Sequence, residues 1–182
     1  MTLYKKRYRI ESSRLAGWDY SSPAWYFVTI CTHEKRSFLG EMQNDKVHLS
    51  RAGEIVVEEW QKTAAIRANV TLDEFVVMPN HIHGIVVIKE PNMAASPRVE
   101  TPRRGVSTAH RPQKASLSSI IGQFKSVSTK RIWAAGHREF GWQSRYHDRI
   151  IRSDRALAAI REYIANNPSK WALHKENPAN LG

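Results

Sequence analysis

The chain has 182 residues, enough for one domain with a hydrophobic core that needs no disulfide or metal to support it. No apolar stretch reaches the roughly 18 residues of a membrane-spanning helix, and the single cysteine, Cys31, excludes an internal disulfide and a cysteine zinc cluster. With 28 Lys and Arg against 17 Asp and Glu, the formal net charge is +11, which favours a polyanionic partner and nucleic acid first; a merely basic soluble protein is the alternative.

Residues 1–20 begin with a mixture of basic and aromatic side chains and lack the apolar core of a secretory signal. We interpret this segment as a basic arm in which Arg7 is a candidate contact for a nucleic-acid backbone. A frayed basic terminus is the alternative. The missing signal and the single cysteine together favour the cytoplasm.

The first half of the chain predicts a strand, a helix and a hairpin. Aromatic and β-branched residues fill positions 25–31, which is typical of a strand, and a basic loop with Arg36 follows. After Ser50, apolar residues recur every four positions, which predicts a helix. Two apolar runs within 75–88 are separated by Pro79-Asn80, which indicates a β-hairpin.

The second half opens with a change of composition. Residues 89–114 carry four prolines and no apolar periodicity. We therefore expect this stretch to be a mobile surface insertion and not a boundary between two domains. A helical stripe starts after Ser116, a strand is predicted over 142–151, and a final helix spans 153–168, ending near the residue before Pro168. This order predicts a single domain over 1–182, an α+β fold with helices on one face of an antiparallel sheet.

Two histidines occupy the start of the second hairpin strand. Because strand side chains alternate between the two faces, His81 and His83 project from the same face. Two imidazoles held side by side on a strand form half of a metal site. The alternative is a pair of ordinary polar positions on a half-exposed strand.

A second constellation lies on the last helix, where Tyr163 and Asn167 are one turn apart on the same side. The amide oxygen of Asn167 is a suitable hard ligand for a divalent ion, and Tyr163 would place a phenol beside that ion. A phenol is a poor nucleophile at its ordinary pKa and needs activation. The alternative is a tyrosine at the rim of the core and an asparagine that caps the helix.

These motifs resemble a known family. The segment 76–84, with His81-Ile82-His83 at its centre, is similar to the His-hydrophobe-His (HUH) motif of single-tyrosine transposases, and segment 163–168 is similar to their tyrosine helix. The Tyr-x-x-x-Asn-Pro form points to the REP-associated tyrosine transposases of the IS200-like superfamily. The resemblance covers most of the chain apart from 89–114 and the two ends.

The resemblance implies a ferredoxin-like antiparallel sheet with helices, the HUH endonuclease and transposase fold. It implies that His81 and His83 bind the metal, Mg²⁺ or Mn²⁺, that Tyr163 is the nucleophile, and that Asn167 stands where related transposases carry a glutamine ligand. The implied substrates are single-stranded DNA hairpins from repetitive extragenic palindromes. In some relatives two subunits exchange the tyrosine helix, so both a monomer and a homodimer remain open.

On this interpretation Tyr163 attacks a DNA phosphodiester and forms a 5′-phosphotyrosine link. Positive side chains hold the strand; the candidates are Arg7, Arg36, Lys125, Lys130 and Arg131. Two alternatives stay open: a metal-dependent nuclease that uses water, and a non-catalytic nucleic-acid-binding module. His147 and Asp148, just before the tyrosine helix, orient a ligand, contact DNA or simply belong to an edge strand.

Overall fold

The computed structural model describes residues 3–4, 7–8, 15–90, 116–173 and 177. The predicted insertion therefore lies outside the described residues except at 89–90, and half of the basic arm lies outside them too. No helix in the described part of the chain is both long enough and apolar enough to cross a bilayer.

Four antiparallel strands form the central sheet, in the spatial order β6-β7-β3-β8. Two further pairs, β1 with β2 and β4 with β5, lie outside that sheet. The strands are β1 (Leu3–Tyr4), β2 (Arg7–Tyr8), β3 (Ala24–Cys31), β4 (Gly40–Gln43), β5 (Lys46–Leu49), β6 (Val70–Met78), β7 (His81–Ile88) and β8 (His147–Ile151). The helices are α1 (Arg51–Ala65), α2 (Leu117–Ala134) and α3 (Asp154–Ala165), with single-turn or short 3-10 segments at His33–Lys35 and Pro168–Leu173.

The larger part of the core lies between one face of the sheet and helices α1 and α2. Alternate residues of β7, such as Ile82 and Val86, point into this core, where they pack with Trp60 of α1 and Phe124 of α2. Both helices begin at serine caps: the Ser50 hydroxyl accepts from the Gly53 amide, and Ser116 forms a reciprocal capping box with Ser119. The apolar faces predicted for these two helices from the sequence are the faces that are buried.

The opposite face of the sheet carries a smaller core and the third helix. Ile85 and Val87 of β7 pack there against Ile160 and Ile164 of α3, together with Ile151 of β8. The predicted α+β fold with an antiparallel sheet is confirmed. The placement of the helices on one face is corrected for α3, because its apolar stripe covers the second face of a sheet whose central strand β7 is buried along its whole length.

Two local predictions differ from the structure. Strand β8 begins at His147 and not at 142. Trp142 forms only an isolated bridge with Thr32, and in the stretch that follows, Lys125 of α2 donates hydrogen bonds to the carbonyls of Gln143 and Arg145. The hairpin of β4 and β5 lies in a region expected to be a loop. Its turn residues, Asn44 and Asp45, both have positive φ, the backbone that a two-residue hairpin turn requires.

Candidate active site

The two histidines lie at the start of β7, on the face covered by α3. In the ladder with β3, His81 is opposite Cys31 and His83 is opposite Thr29. The two rings are 4.4 Å apart between centroids, and the residues are 0% and 3% exposed. The prediction that both imidazoles share one face is confirmed.

Asn80 fixes the protonation of the His81 ring. Its Nδ2 donates to the backbone carbonyl of Lys35 at 2.9 Å, so its Oδ1 faces His81 Nδ1 at 2.8 Å. Since a carbonyl oxygen can only accept, Nδ1 carries the proton and Nε2 carries the lone pair. This is the tautomer in which Nε2 can bind a metal ion.

The His83 ring is held by two residues of β3. Its Nδ1 lies 2.9 Å from the hydroxyl of Thr29, and its ring stacks on Phe27 with centroids 5.3 Å apart. When the Thr29 hydroxyl accepts from Nδ1, the lone pair of His83 is also on Nε2. Each histidine therefore has a second residue that orients its ring, and for His81 that residue also determines which nitrogen carries the lone pair.

Tyr163 reaches the histidines from α3. Its Oη is 3.3 Å from Nε2 of His83, and its ring meets Phe27 edge-on at 6.0 Å. The side chain is 40% exposed, so the phenol contacts the buried pair while it remains open to solvent. The structure thus brings together the tyrosine and a histidine that are 80 positions apart in the chain.

An ion pair fixes α3 in this position. Arg161 donates two hydrogen bonds to the carboxylate of Asp73 on β6, both at 2.7 Å, and its guanidinium also lies over the Trp25 ring. The guanidinium holds the pKa of the Asp73 carboxyl below its ordinary value, so the pair stays charged at neutral pH. The two-point contact sets the rotation of the helix that carries Tyr163.

Asn167 follows α3 and is midway in the sequence between two residues that contact the histidines. Tyr163, four positions earlier, touches His83, and Trp171, four positions later, stacks on His81 at 5.9 Å. Asn167 is 1% exposed. Among the described residues its side-chain oxygen and nitrogen have no hydrogen-bond partner, which is costly for a buried amide.

The side chains at this site are of types that bind metal ions. Imidazole nitrogens, as in His81 and His83, and amide oxygens, as in Asn167, are both metal-ligand groups. The buried amide of Asn167 also lacks, among the described residues, the hydrogen-bond partner that a purely structural role would give it. Within the described ranges no third His, Cys, Asp or Glu joins the pair. Any further ligands would come from substrate or water.

The five basic candidates fall into separate groups. Lys130 is exposed on α2, and Arg36 lies over the Phe38 ring beside the loop that Asn80 contacts, so both remain candidates for DNA contact. Arg131 is held by Glu58 and Glu59 at 2.6 Å each, and Lys125 is held by two carbonyls. These two already have partners within the protein, and their assignment as DNA contacts stays a prediction. The side chain of Arg7 lies outside the described part.

Sequence reasoning missed the residues that orient the histidines. Asn80 was assigned only to the turn, although a polar residue directly before a candidate ligand is a signal in itself. Thr29 becomes visible only once β3 is paired with β7 in register. Trp171 had no signal, because its contact depends on the path of the chain after Pro168.

The fold places the chain in a structural class. A solved structure of a REP-associated tyrosine transposase bound to a REP hairpin matches 91% of this chain and 77% of that chain, with a TM-score of 0.58 and 19% identity. The fold is that of the REP-associated tyrosine transposases, as the resemblance implied. No protein-family model matches the sequence.

A relative identifies the family at the level of sequence. An uncharacterized protein of Haemophilus influenzae (strain Rd) is 34% identical over 168 aligned residues, and the match covers 88% of each chain. The chain described here belongs to the same family as that protein.

Proposed function

We propose that the protein is a metal-dependent transposase or endonuclease that cleaves and rejoins single-stranded DNA at palindromic hairpins through a 5′-phosphotyrosine intermediate. The single observation that carries the proposal is the Tyr163 hydroxyl 3.3 Å from Nε2 of a buried histidine pair. A phenol that is both exposed to solvent and in contact with candidate metal ligands is placed for attack on a phosphodiester. The related solved structure holds a REP hairpin, which supports hairpin DNA as the substrate.

His81, His83 and Asn167 would hold the cofactor, Mg²⁺ or Mn²⁺. When bound, such an ion neutralises charge on a phosphate and polarises the phosphorus for attack. The protein must hold the ligands and the tyrosine in position. Asn80 and Thr29 keep the two imidazoles in the ligating orientation, and Arg161 keeps the helix of Tyr163 on the sheet.

The chemical step balances without a nucleotide cofactor. The Tyr163 oxygen forms a bond to phosphorus while the bond from phosphorus to the 3′ oxygen breaks. The phenol loses one proton and the departing 3′ oxygen gains one, so the products are a phosphotyrosine ester on the 5′ side and a free 3′-hydroxyl. Attack of a 3′-hydroxyl on that ester reverses the step and rejoins a strand.

The positive charge of the protein supports a nucleic acid as its substrate. The formal net charge of +11 supplies affinity for any nucleic acid that weakens as salt rises. Arg36 and Lys130 are described side chains whose charges no carboxylate in the described part neutralises. They add contacts to the backbone and do not themselves select a sequence.

A covalent-adduct experiment tests the proposal. The protein is incubated with a labelled single-stranded hairpin and Mn²⁺ and run on a denaturing gel. We expect a labelled protein band for the natural sequence, and none for Tyr163→Phe, which loses one hydroxyl. Tyr146→Phe is the matched control, because Tyr146 packs on the core of the other sheet face.

Each rival predicts a different gel. Cleavage that survives Tyr163→Phe without any covalent band would indicate a nuclease that uses water. Binding of the hairpin with neither cleavage nor a covalent band would indicate a non-catalytic module. Either result overturns the proposal.

A further inference from the structure

A cleft opens beside Tyr163, between the edge strand β8 and helix α3. Its volume is about 500 Å³, within the range of small-ligand sites. Phe27 and Thr29 of β3 form its floor, and Tyr163 closes one end. Thr29 is the residue that orients His83, so the cleft is continuous with the candidate active site.

The β8 wall is formed by His147 and by Arg149, which carries a positive charge. His147 is opposite Thr29 in the ladder and Arg149 is opposite Phe27, so both project from the same sheet face as His83. Both are exposed, and neither forms an ion pair or a hydrogen bond within the described part of the chain. The site residues therefore make one row across three strands, with His83, Thr29 and His147 in register.

The acidic residue between them does not cancel this charge. Asp148 also borders the cleft, but it is opposite Val28, which belongs to the core on the other face. Burial and, to a smaller extent, the negative charge of Asp148 raise the pKa of the Tyr26 hydroxyl, which lies on that same far side. The charge that β8 presents toward Tyr163 is consequently the positive charge of Arg149.

The α3 wall is small and apolar. Ala156 and Ala159 line the cleft with Ile160, and the alanine methyl groups leave the space that larger side chains would fill. An apolar wall opposite an aromatic floor accommodates a flat base, and the basic edge accommodates a phosphate. A cleft with both an apolar surface for a base and a basic edge for a phosphate fits a nucleotide of single-stranded DNA better than it fits an apolar peptide.

We propose that this cleft, the β8–α3 cleft, binds a nucleotide of single-stranded DNA next to the phosphodiester that Tyr163 attacks. Arg149 and His147 contact its phosphate, and Phe27 with the α3 alanines receives its base. The proposal rests on the function proposed above and assigns the path by which the strand reaches the tyrosine.

The test measures binding apart from chemistry. A labelled hairpin with a single-stranded flank and the same hairpin without a flank are titrated with protein in EDTA, with fluorescence anisotropy as the readout. Arg149→Gln is expected to weaken binding of the flanked hairpin roughly tenfold and to lower its salt slope by about 1, with little effect on the hairpin without a flank. Ala159→Phe, which fills the cleft, is expected to weaken the flanked hairpin at least as much.

Two matched controls accompany these variants. Ala158→Phe adds the same ring to the neighbouring exposed position of α3, which does not line the cleft. Arg155→Gln removes the same charge from an exposed residue of α3 that is also outside the cleft lining. Both are expected to bind the flanked hairpin as the natural sequence does, and thermal unfolding confirms that all four variants are folded.

The outcomes separate the cleft from the chemistry. If Arg149→Gln and Ala159→Phe bind the flanked hairpin like their controls, the cleft proposal is overturned, even where the natural protein forms its covalent adduct. If both lose the flanked hairpin while the natural protein forms no adduct, the cleft stands and the proposed reaction fails. Equal losses for the flanked and unflanked hairpins would also overturn the cleft, because the contact would then lie with the duplex.

Discussion

The Tyr163 hydroxyl and the Nε2 atom of His83 lie 3.3 Å apart although the residues belong to different elements of the fold. The contact exists because α3 crosses the sheet face on which His83 stands, and because Arg161 clasps Asp73 at the edge strand β6. It joins the exposed phenol to the buried imidazole pair. The residues around this contact sustain its geometry.

Thr29→Val should lower the affinity of the site for Mn²⁺ without removing a ligand. The variant keeps the β-branched shape but leaves Nδ1 of His83 without its hydroxyl partner, so the ring loses its fixed orientation. Loss of such a partner typically costs about 10–100-fold in metal affinity or activity. The Mn²⁺ concentration that gives half-maximal adduct should rise accordingly, with Thr71→Val on β6 as the control for the same change in a strand.

Asn167→Leu should separate metal binding from folding. The buried amide of Asn167 has no hydrogen-bond partner among the described residues, and such a group costs on the order of 1–3 kcal/mol. A leucine of similar size removes that cost, so the metal-free protein should unfold at the same or a higher temperature. The natural sequence should gain stability from Mn²⁺, and the variant should gain less.

A thermal melt in EDTA and in Mn²⁺ measures both effects without any DNA. If the variant unfolds at a much lower temperature in EDTA, the amide has a structural partner and is no ligand. If its gain from Mn²⁺ equals that of the natural sequence, Asn167 does not bind the ion.

Much of this arrangement follows from sequence periodicity. The common face of His81 and His83 follows from strand alternation, and the stripes of α1 and α2 follow from the 3.6-residue repeat. Neither pattern tells which face of a sheet a helix covers. That is why α3 was assigned to the wrong side, although its own boundaries were close to those observed.

The residues around the histidines depend on pairings that one sequence does not reveal. The role of Thr29 needs the register of β3 against β7, and the role of Arg161 needs a partner 88 positions earlier. Arg131 was selected for its charge, yet two glutamates on α1 already satisfy it. Charge alone does not show that such a residue joins two helices.

Gly84→Ala should destabilise the fold next to the site. A Cβ at Gly84 would lie 2.5 Å from Cζ2 of Trp60 and 3.2 Å from Cβ of Phe75, so a buried indole would have to move. Overpacking of this kind typically costs about 1–3 kcal/mol. Gly122→Ala on α2 meets no atom within 4 Å and should stabilise by roughly 0.5–1 kcal/mol, since alanine is the better helix former.

Urea unfolding of the two glycine variants gives opposite shifts of the midpoint if this packing is correct. If Gly84→Ala has the same midpoint as the natural sequence, Trp60 moves aside readily, and the reason for a glycine beside His83 is removed.

Lys125 should make stability rise with pH above neutrality. Burial lowers the pKa of its ammonium to about 8 in the folded protein, against about 10.5 for an unperturbed lysine. Between these values the unfolded chain binds more protons than the folded one, so the free energy of unfolding increases as pH rises from about 8 to about 10.5. Below pH 8 that contribution is absent.

Lys125→Met isolates this effect from other groups that titrate in the same range. The difference in unfolding free energy between the natural sequence and the variant should grow in favour of the natural sequence across that interval. A difference that is flat or falls with pH would show that the two carbonyls hold the ammonium charged throughout.

One chain should supply the whole active site. Arg161 binds Asp73 of its own sheet, and Ile160 and Ile164 pack on that sheet's apolar face, so Tyr163 reaches His83 within the same molecule. Tyr163→Phe and His83→Ala proteins are therefore both expected to be inactive alone and to remain inactive when mixed. In a protein that exchanges its tyrosine helix, mixed dimers would regain one complete site, and adduct would appear on the His83→Ala chain. Tagging the two chains to different sizes shows on one gel which chain carries the DNA, and a band on the His83→Ala chain would rule out the single-chain site.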